Sequence, residues 1–407
     1  VSVRSVAVLG STGSIGEQTL AVCAAHPERF AVTALAAGSR GQEAAAQARA
    51  VGARQLALAD EAAAAVAREA LADTDCDVEA GDEAVRAVAG GGADVVVNGM
   101  VGSRGLRPTL AALAAGSRLA LANKESLIVG GELVLDAARA AEERHGPHRL
   151  VPVDSEHSAL AQLLAGHGVE EVERLLITAS GGPFRGRTRE QLADVGVADA
   201  LAHPTWSMGA VITVSSATLA NKGLEVIEAH LLFGVPYERI TVVVHPQSVV
   251  HGMVELVDGA TLAEVSPPDM TMPIQLALGW PERLAPAANR LDWTRARELT
   301  FEPVDADTFP MVELARAAGR AGGTAPAAFN AANEEAVTAF LHERLPFLGI
   351  TEVVARTLDR AAPVGATDLA TVLAAEEEAR RIAREEAVRL GAPAEPAPGD
   401  PRSGAHQ

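Results

Sequence analysis

Positive charge is scarce in this chain. There are 34 Lys and Arg against 53 Asp and Glu, a formal net charge of -19. Such a surface repels phosphate backbones, which excludes nucleic acid as an expected partner. Cysteine is scarcer still. Cys23 and Cys76 cannot make a disulfide framework and neither sits in a CxxC or Cys/His cluster, so both read as structural filler. The lack of stapling fits a reducing compartment. Aromatic residues are only 3% of the chain. No apolar stretch reaches the roughly 20 residues that a bilayer span needs, so no membrane segment is expected. The opening VSVRSVAVLG has no signal-peptide layout, and the expected location is the cytoplasm. No internal repeat is present.

What remains is globular: 407 residues, 48% hydrophobic and 21% charged, enough for two or three domains. The first 150 residues alternate apolar runs with Ala-rich helical stretches. Strands are expected at Val3–Gly10, Ala31–Ala37, Gln55–Leu58, Asp94–Asn98 and Arg118–Ala122, with helices such as Glu43–Val51, Glu61–Leu71 and Leu106–Ala115 between them. That alternation predicts an α/β fold with a Rossmann-like parallel sheet over residues 1–149. From 150 to 280 polar clusters interrupt strand-like segments at Leu175–Ala179, Ile240–His245 and Val249–Leu256, which reads as an α+β domain whose loops carry chemistry. Residues 281–310 read as a linker. Residues 311–390 read as a C-terminal helical bundle, its last helix capped by Asp368. The Pro/Ala/Gly-rich tail 391–407 reads as disordered.

The first strand ends in Gly10-Ser11-Thr12-Gly13-Ser14-Ile15-Gly16. Glycines permit a tight turn and let backbone N–H groups meet a pyrophosphate at a helix N-terminus. A Gly-rich strand–helix turn can also be only a turn, but the surrounding βαβ texture favours a nucleotide. An NAD enzyme usually places an acid at the tip of the second strand to hold the ribose hydroxyls. Here that tip reads Gly38-Ser39-Arg40. A hydroxyl and a guanidinium suit a 2′-phosphate, hence NADPH; the alternative is an exposed surface Arg.

Asp154 and Glu156 in VDSEH follow an apolar strand. If the chain is still extended there, the two carboxylates point to one side. Glu225 can add a third, making an oxygen site suited to Mg²⁺ or Mn²⁺. The competing reading is a helix N-terminus capped by Asp154. Ser180, Ser216, Asn221, Lys222 and His203 can gather around a phosphate dianion, although a Ser-Gly-Gly such as Ser180-Gly-Gly is usually a turn. Trp206 and Met208 stand among Gly and Pro in HPTWSMG. Residues 186–209 therefore read either as a mobile lid or as a loop that Trp206 anchors to the core.

In order along the chain, the motifs GSTGSIG, NKES, DSEH, SGGPF, HPTWSMG, SATLANKGLE and HPQSVVH resemble the 1-deoxy-D-xylulose 5-phosphate reductoisomerase family. The resemblance runs from Gly10 to Asp269, and the helical C-terminal part also fits. It implies an NADPH-dependent oxidoreductase of isoprenoid biosynthesis that rearranges and reduces its ketose phosphate. It implies that Asp154, Glu156 and Glu225 hold Mg²⁺ or Mn²⁺ and that Lys124 meets substrate oxygens near the metal. Asn123 and Glu125 would lie near the nicotinamide ribose, and Ser155 on a substrate hydroxyl. Ser180, Ser216, Asn221 and Lys222 would hold the phosphate with His203 nearby, and Trp206 would cover the carbon chain. Ser11 to Ile15, Gly38, Ser39, Arg40 and Gly209 complete the implied cofactor contacts, and a homodimer is implied. The family often has a basic residue after PDM. This chain has Thr271, for which no role is implied.

Three other readings compete: a plain NADP-dependent reductase of another phosphorylated carbonyl, a metal-dependent sugar-phosphate isomerase with a vestigial nucleotide half, and a silent nucleotide sensor. The carboxylate trio with Lys124 argues against the sensor. The glycine turn with Arg40 argues against the pure isomerase.

Overall fold

The computed structural model describes residues 2–206 and 208–391. Most of the tail expected to be disordered, from 392 onward, lies outside the described residues.

Seven short strands form the first sheet: β1 (Arg4–Leu9), β2 (Phe30–Ala37), β3 (Gln55–Leu58), β4 (Asp77–Ala80), β5 (Val95–Asn98), β6 (Arg118–Leu121) and β7 (Leu150–Pro152). All pairs are parallel, in the order β4-β3-β2-β1-β5-β6-β7. Successive strand side chains face opposite ways, so each strand feeds two cores. Val6 and Val8 point into one, with the helices Ser14–Ala25, Gly41–Val51, Glu61–Ala70 and Thr271–Gly279. Ala7 and Leu9 point into the other, with Asp82–Ala89, Leu106–Ala114 and Glu132–His145. Small Ala and Val side chains let helices pack closely on both faces, which is why these strands read as unbroken apolar runs. β7 is the apolar strand expected before VDSEH, whereas β4 was not expected. β4, DVEA, is half exposed and shows no strand pattern in sequence.

The second sheet is mixed and five-stranded, in the order β11-β10-β8-β9-β12. Its members are β8 (Val172–Ala179), β9 (Ile240–Val244), β10 (Val250–Leu256), β11 (Thr261–Val265) and β12 (Glu302–Pro303). β12 lies within the stretch read as a linker: Glu302 and Pro303 pair with Val244 and Val243, so this crossing segment also closes a sheet edge. One large core joins β8–β10 to the C-terminal helices through Val172, Leu175, Ile177, Phe329, Phe340 and Ile350. Those helices are Met311–Ala321, Ala325–Leu341, Phe347–Arg360 and Leu369–Arg389, the last capped by Asp368 as expected. The Thr271–Gly279 helix returns to the first sheet, burying Ile274, Ala277 and Leu278 there.

The strand order reverses at β1, which lies between β2 and β5. In an open parallel sheet the crevice for a ligand is at such a reversal, beyond the carboxyl ends of the strands. Gly10 follows β1, Asn123 and Lys124 follow β6, and Asp154 follows β7. One edge of one sheet thus collects the nucleotide turn and the charged groups.

Candidate active site

The glycine turn is built for close approach. Gly10 has φ +77°, and a Cβ there would lie 2.6 Å from the carbonyl oxygen of Gly99, the residue after β5. A Cβ on Gly16 would lie 2.4 Å from the Gly10 oxygen. Gly13 caps the Ser14–Ala25 helix with no side-chain bond, so the first-turn N–H groups of Ser14 and Ile15 point outward unclaimed. Ser11 and Thr12 are buried in the turn, while Gly38 and Ser39 are exposed at the tip of β2. Arg40 reaches back across the turn. Its guanidinium donates to the Thr12 carbonyl and pairs with Glu43 at 3.1 Å, leaving the side chain 53% exposed. A cradle without side chains beside an accessible guanidinium fits a dinucleotide that carries an extra phosphate.

The carboxylate trio forms, but not on an extended chain. The helix Ser155–Leu164 begins immediately after Asp154, whose side chain accepts from the N–H of Glu156 and His157. The helix-cap alternative is therefore correct, and it is compatible with a ligand role. Asp154 Oδ1 caps the helix, while Oδ2 turns outward and accepts from Lys124 Nζ. Glu225 arrives from the helix Ala220–Phe233, and oxygens of Asp154, Glu156 and Glu225 lie within 4.8 Å of one another. Two ammonium groups balance them. Lys124 also lies 3.2 Å from Glu225 Oε1 and 3.1 Å from Asn221 Oδ1. Lys222 lies 3.0 Å from Glu156 Oε1 and 2.5 Å from Glu225 Oε2. Ser155 donates to Glu156 Oε2 at 2.6 Å, and Asn221 donates to Glu225 Oε1 at 2.6 Å. An all-oxygen trio neutralised by cations fits a hard divalent ion such as Mg²⁺ or Mn²⁺.

The electrostatics follow from this packing. Burial alone favours neutral Lys124 and neutral Asp154, but each lies beside opposite charges that outweigh it. Lys124 is held well above the ordinary lysine range, and Asp154 well below the ordinary carboxylate range. Glu225 is pushed up by burial and by the neighbouring charges of Asp154 and Glu156. A cation placed among the three carboxylates would relieve that repulsion.

Two members of this cluster carried no role in the sequence reading. His157 is fully buried, 3.1 Å from both Asp154 Oδ1 and Glu228 Oε2, and its Nε2 donates to the Glu225 carbonyl. Burial opposes its charge, yet Glu228 and Asp154 outweigh that and raise it to about 9. Burial pushes Glu228 up to about 7. The signal was present: Glu228 lies three residues after Glu225, on the same helical face.

The groups read as a phosphate site assemble in part. Gly181 and Gly182 both have positive φ, and a Cβ on Gly182 would lie 3.1 Å from the carbonyl oxygen of Ser216. That approach brings the Ser180 loop against the end of the helix Ala210–Ala217. His203 Nδ1 accepts from the N–H of Thr205 and Trp206, at 3.2 and 2.9 Å. Its Nε2 therefore carries the proton and donates to Ser180 Oγ at 3.1 Å. Burial lowers the His203 pKa, in keeping with a neutral ring. Ser180 Oγ also accepts from the Gly182 N–H at 3.2 Å, which leaves its own hydrogen for a ligand. The bonds of Asn221 and Lys222 run to Lys124, Glu225 and Glu156, so the structure brings these two residues to the carboxylate trio rather than to the Ser180–His203 pair.

The 186–209 segment is anchored in its middle. Leu192 and Ala200 are fully buried in the large core, and Phe184 just before it is 1% exposed. Gly186 to Gln191 are exposed, as are Leu201, Ala202 and Pro204. Trp206 is half-buried with its ring centroid 6.2 Å from that of His251, and exposed Gly209 starts the next helix. After β6, Asn123 is 1% exposed, and its amide donates to the carbonyls of Met100 and Gly102 and to Glu125 Oε2.

Known families match this chain over nearly its whole length. The model for 1-deoxy-D-xylulose 5-phosphate reductoisomerase matches residues 6–131. The models for its C-terminal domains match residues 150–233 and 265–382. The chain belongs to the 1-deoxy-D-xylulose 5-phosphate reductoisomerase family. The reductoisomerase of Leifsonia xyli is 57% identical over 363 residues, 89% of this chain and 93% of that one. That of Kitasatospora griseola is 56% identical over 387 residues, 93% and 98% of the two chains. Among solved structures, the Zymomonas mobilis reductoisomerase in complex with NADPH matches with a TM-score of 0.87 at 42% identity, covering 95% of this chain and 99% of the other. A reductoisomerase complexed with NADPH, fosmidomycin and magnesium matches with a TM-score of 0.89 at 38% identity, covering 95% and 99%.

Proposed function

We propose that the edge of the first sheet and the cap of the second form one site, in which rearrangement and reduction follow each other without release. As a reductoisomerase, the protein converts 1-deoxy-D-xylulose 5-phosphate to 2-C-methyl-D-erythritol 4-phosphate, an NADPH- and divalent-metal-dependent step of non-mevalonate isoprenoid synthesis. The observation that carries the single-site reading is the position of Lys124 and Asp154, on the same strand ends as the glycine turn.

Asp154, Glu156 and Glu225 would hold Mg²⁺ or Mn²⁺, which supplies Lewis-acid polarisation of the substrate's carbonyl and neighbouring hydroxyl. NADPH supplies the hydride that reduces the rearranged aldehyde. Lys124 then donates to substrate oxygens beside the trio, and Ser155 to a substrate hydroxyl. Ser180, Ser216, Asn221 and Lys222, with His203 orienting Ser180, hold the phosphate. That remote grip aligns a small reacting part. Trp206 closes over the carbon chain and keeps water out. Ser11, Thr12, Gly13, Ser14 and Ile15 cradle the pyrophosphate, and Gly38, Ser39 and Arg40 hold the 2′-phosphate. Asn123, Glu125 and Gly209 bound the nicotinamide end. In this reading residues 1–149 carry NADPH, 150–280 the chemistry, and 311–390 support both.

The protein acts as a cytoplasmic homodimer in this reading. Support for the dimer comes from β11, a strand at the end of the second sheet that can pair with its equivalent in a second copy. Light scattering at micromolar concentration tests it; a monomer contradicts it. The function itself is tested by following NADPH consumption with 1-deoxy-D-xylulose 5-phosphate, with and without Mn²⁺. Consumption that ignores either the ketose phosphate or the metal contradicts the assignment.

A further inference from the structure

The cofactor end of the site is backed by residues far away in sequence. Gly102 has φ +71°, and a Cβ there would lie 3.2 Å from Glu334 Oε1. Glu334 belongs to the helix Ala325–Leu341 of the C-terminal part. Its carboxylate accepts from Asn330 Nδ2 at 2.9 Å and from Arg380 Nη2 at 2.6 Å. Arg380, on the helix Leu369–Arg389, also donates to Glu376 at 2.7 Å, to Glu335 at 3.2 Å and to the Ser103 hydroxyl at 3.3 Å. From the other side, Asn123 holds the carbonyls of Met100 and Gly102, and donates to Glu125 Oε2 at 2.8 Å. The loop from Met100 to Ser103 is thus clamped between Asn123 and the Glu334–Arg380 pair. Val101, at its outer turn, is 74% exposed, an apolar side chain at the lip of the crevice.

We infer that Glu334 and Arg380 are positioning residues for the cofactor, acting through the Met100–Ser103 loop on Asn123 and Glu125. The inference rests on the reading that Asn123 and Glu125 bound the nicotinamide end. Arg380 faces three carboxylates whose side chains are 5–20% exposed, so the network also ties the C-terminal helices together and its loss is expected to lower the melting temperature somewhat. Glu334 also adds a like charge near Glu125, whose carboxyl is raised to about 7, mainly by burial. A contact that is electrostatically unfavourable for its neighbour and geometrically exacting for a glycine is the kind retained for placement.

The same helix offers an internal control. Asn333, one residue before Glu334, donates to Ser215 Oγ at 3.2 Å, next to Ser216 on the phosphate side. Its loss should not reach the cofactor loop.

The experiment measures the NADPH dissociation constant by fluorescence titration for wild type, Arg380→Gln, Arg380→Lys, Glu334→Gln, Ser103→Ala, Asn333→Ala and Glu125→Gln. Mn²⁺ affinity, kcat and melting temperature are read beside it. Arg380→Gln and Glu334→Gln should weaken NADPH binding about three- to tenfold, with kcat at saturating NADPH and Mn²⁺ affinity unchanged. Arg380→Lys should recover part of the loss. Ser103→Ala, which leaves the helix network whole, should weaken NADPH in the same sense, and Asn333→Ala should leave it unchanged. Wild-type NADPH affinity in both Arg380→Gln and Ser103→Ala, with Glu125→Gln impaired, overturns the inference alone. Unchanged affinity in Glu125→Gln overturns the reading beneath it, and the inference with it. Equal loss of NADPH, metal and melting temperature in the Arg380 and Asn333 variants also overturns it, because that pattern marks general destabilisation.

Discussion

Lys222 pairs with the carboxylate trio and is proposed to hold the substrate phosphate, and a Lys222→Met variant should separate the two roles. The ammonium is 7% exposed and sits 3.0 Å from Glu156 and 2.5 Å from Glu225. Without a divalent ion it is one of two ammonium groups that balance the three carboxylates, beside His157 on Asp154. Removing one partner of a buried ion pair costs about 3–5 kcal/mol; Lys124, still 3.2 Å from Glu225, keeps the expected loss in the metal-free protein near about 3. Metal binding should move the opposite way. An ammonium a few ångströms from a divalent ion repels it by several kcal/mol at an effective dielectric constant of about 20, and a flexible lysine relieves most of that by turning away. We expect Mn²⁺ to bind Lys222→Met on the order of tenfold tighter than wild type, a change of about 1.4 kcal/mol. Substrate should bind roughly ten- to hundredfold more weakly, since a hydrogen bond to a charged group contributes about 1.5–3 kcal/mol. The assays are Mn²⁺ titration by electron paramagnetic resonance and calorimetric titration with the ketose phosphate. If metal and substrate weaken together, Lys222 is a structural strut. Unchanged Mn²⁺ affinity would show that the ammonium does not compete for the trio.

Arg40→Ala should raise the KM for NADPH about tenfold, a low figure because the side chain is half exposed, and leave the NADH reaction nearly unchanged; an equal loss with both cofactors contradicts the 2′-phosphate role. Trp206 fluorescence, with Trp280 and Trp293 replaced by Phe, should change when substrate or a phosphonate mimic binds. A silent Trp206 in a variant that still turns over favours the anchor reading of that loop. The metal-free protein should lose stability as pH rises. His157 is raised from 6.5 to about 9 in the folded state, so its stabilising charge is fully present below 6.5 and lost through about 9. Glu228, raised to about 7, acts in the same sense at lower pH. Melting temperature against pH should fall across that window in wild type and fall less in His157→Gln; a flat wild-type profile refutes the buried-charge account.

The parallel sheet was legible because its central strands are buried on both faces and therefore read as continuous Val, Ala and Leu runs. β4 escaped because a half-exposed edge strand carries no such run. β12 escaped because two residues paired across a proline-rich crossing have no periodicity. At the site, Asp154, Glu156 and Glu225 were picked out by residue type, with an extended chain and a helix cap left as alternatives, and the structure has the cap. The carboxylates are gathered by a helix start after β7, where Asp154 caps with one oxygen and faces Lys124 with the other. Buried His157 and Glu228 left no distinctive trace beyond a three-residue helical step. Glu334 and Arg380 reach the site only through tertiary packing, and in sequence Arg380 belongs to an EEEARRIAREEA run that reads as a solvated helix face.

The account's central claim is that rearrangement and reduction share one site, and the reaction can be entered halfway to test it. The measurement is NADPH oxidation with synthetic 2-C-methyl-D-erythrose 4-phosphate, in wild type and in Glu225→Gln. Glu225 is 1% exposed, its carboxylate is one of the three in the trio, and Lys124 and Lys222 both pair with it. Wild type should reduce the aldehyde without any rearrangement. Glu225→Gln should be impaired with the aldehyde and with the ketose alike, because polarised oxygens serve both steps. Aldehyde reduction at the wild-type rate in Glu225→Gln, with ketose turnover lost, would contradict the shared site.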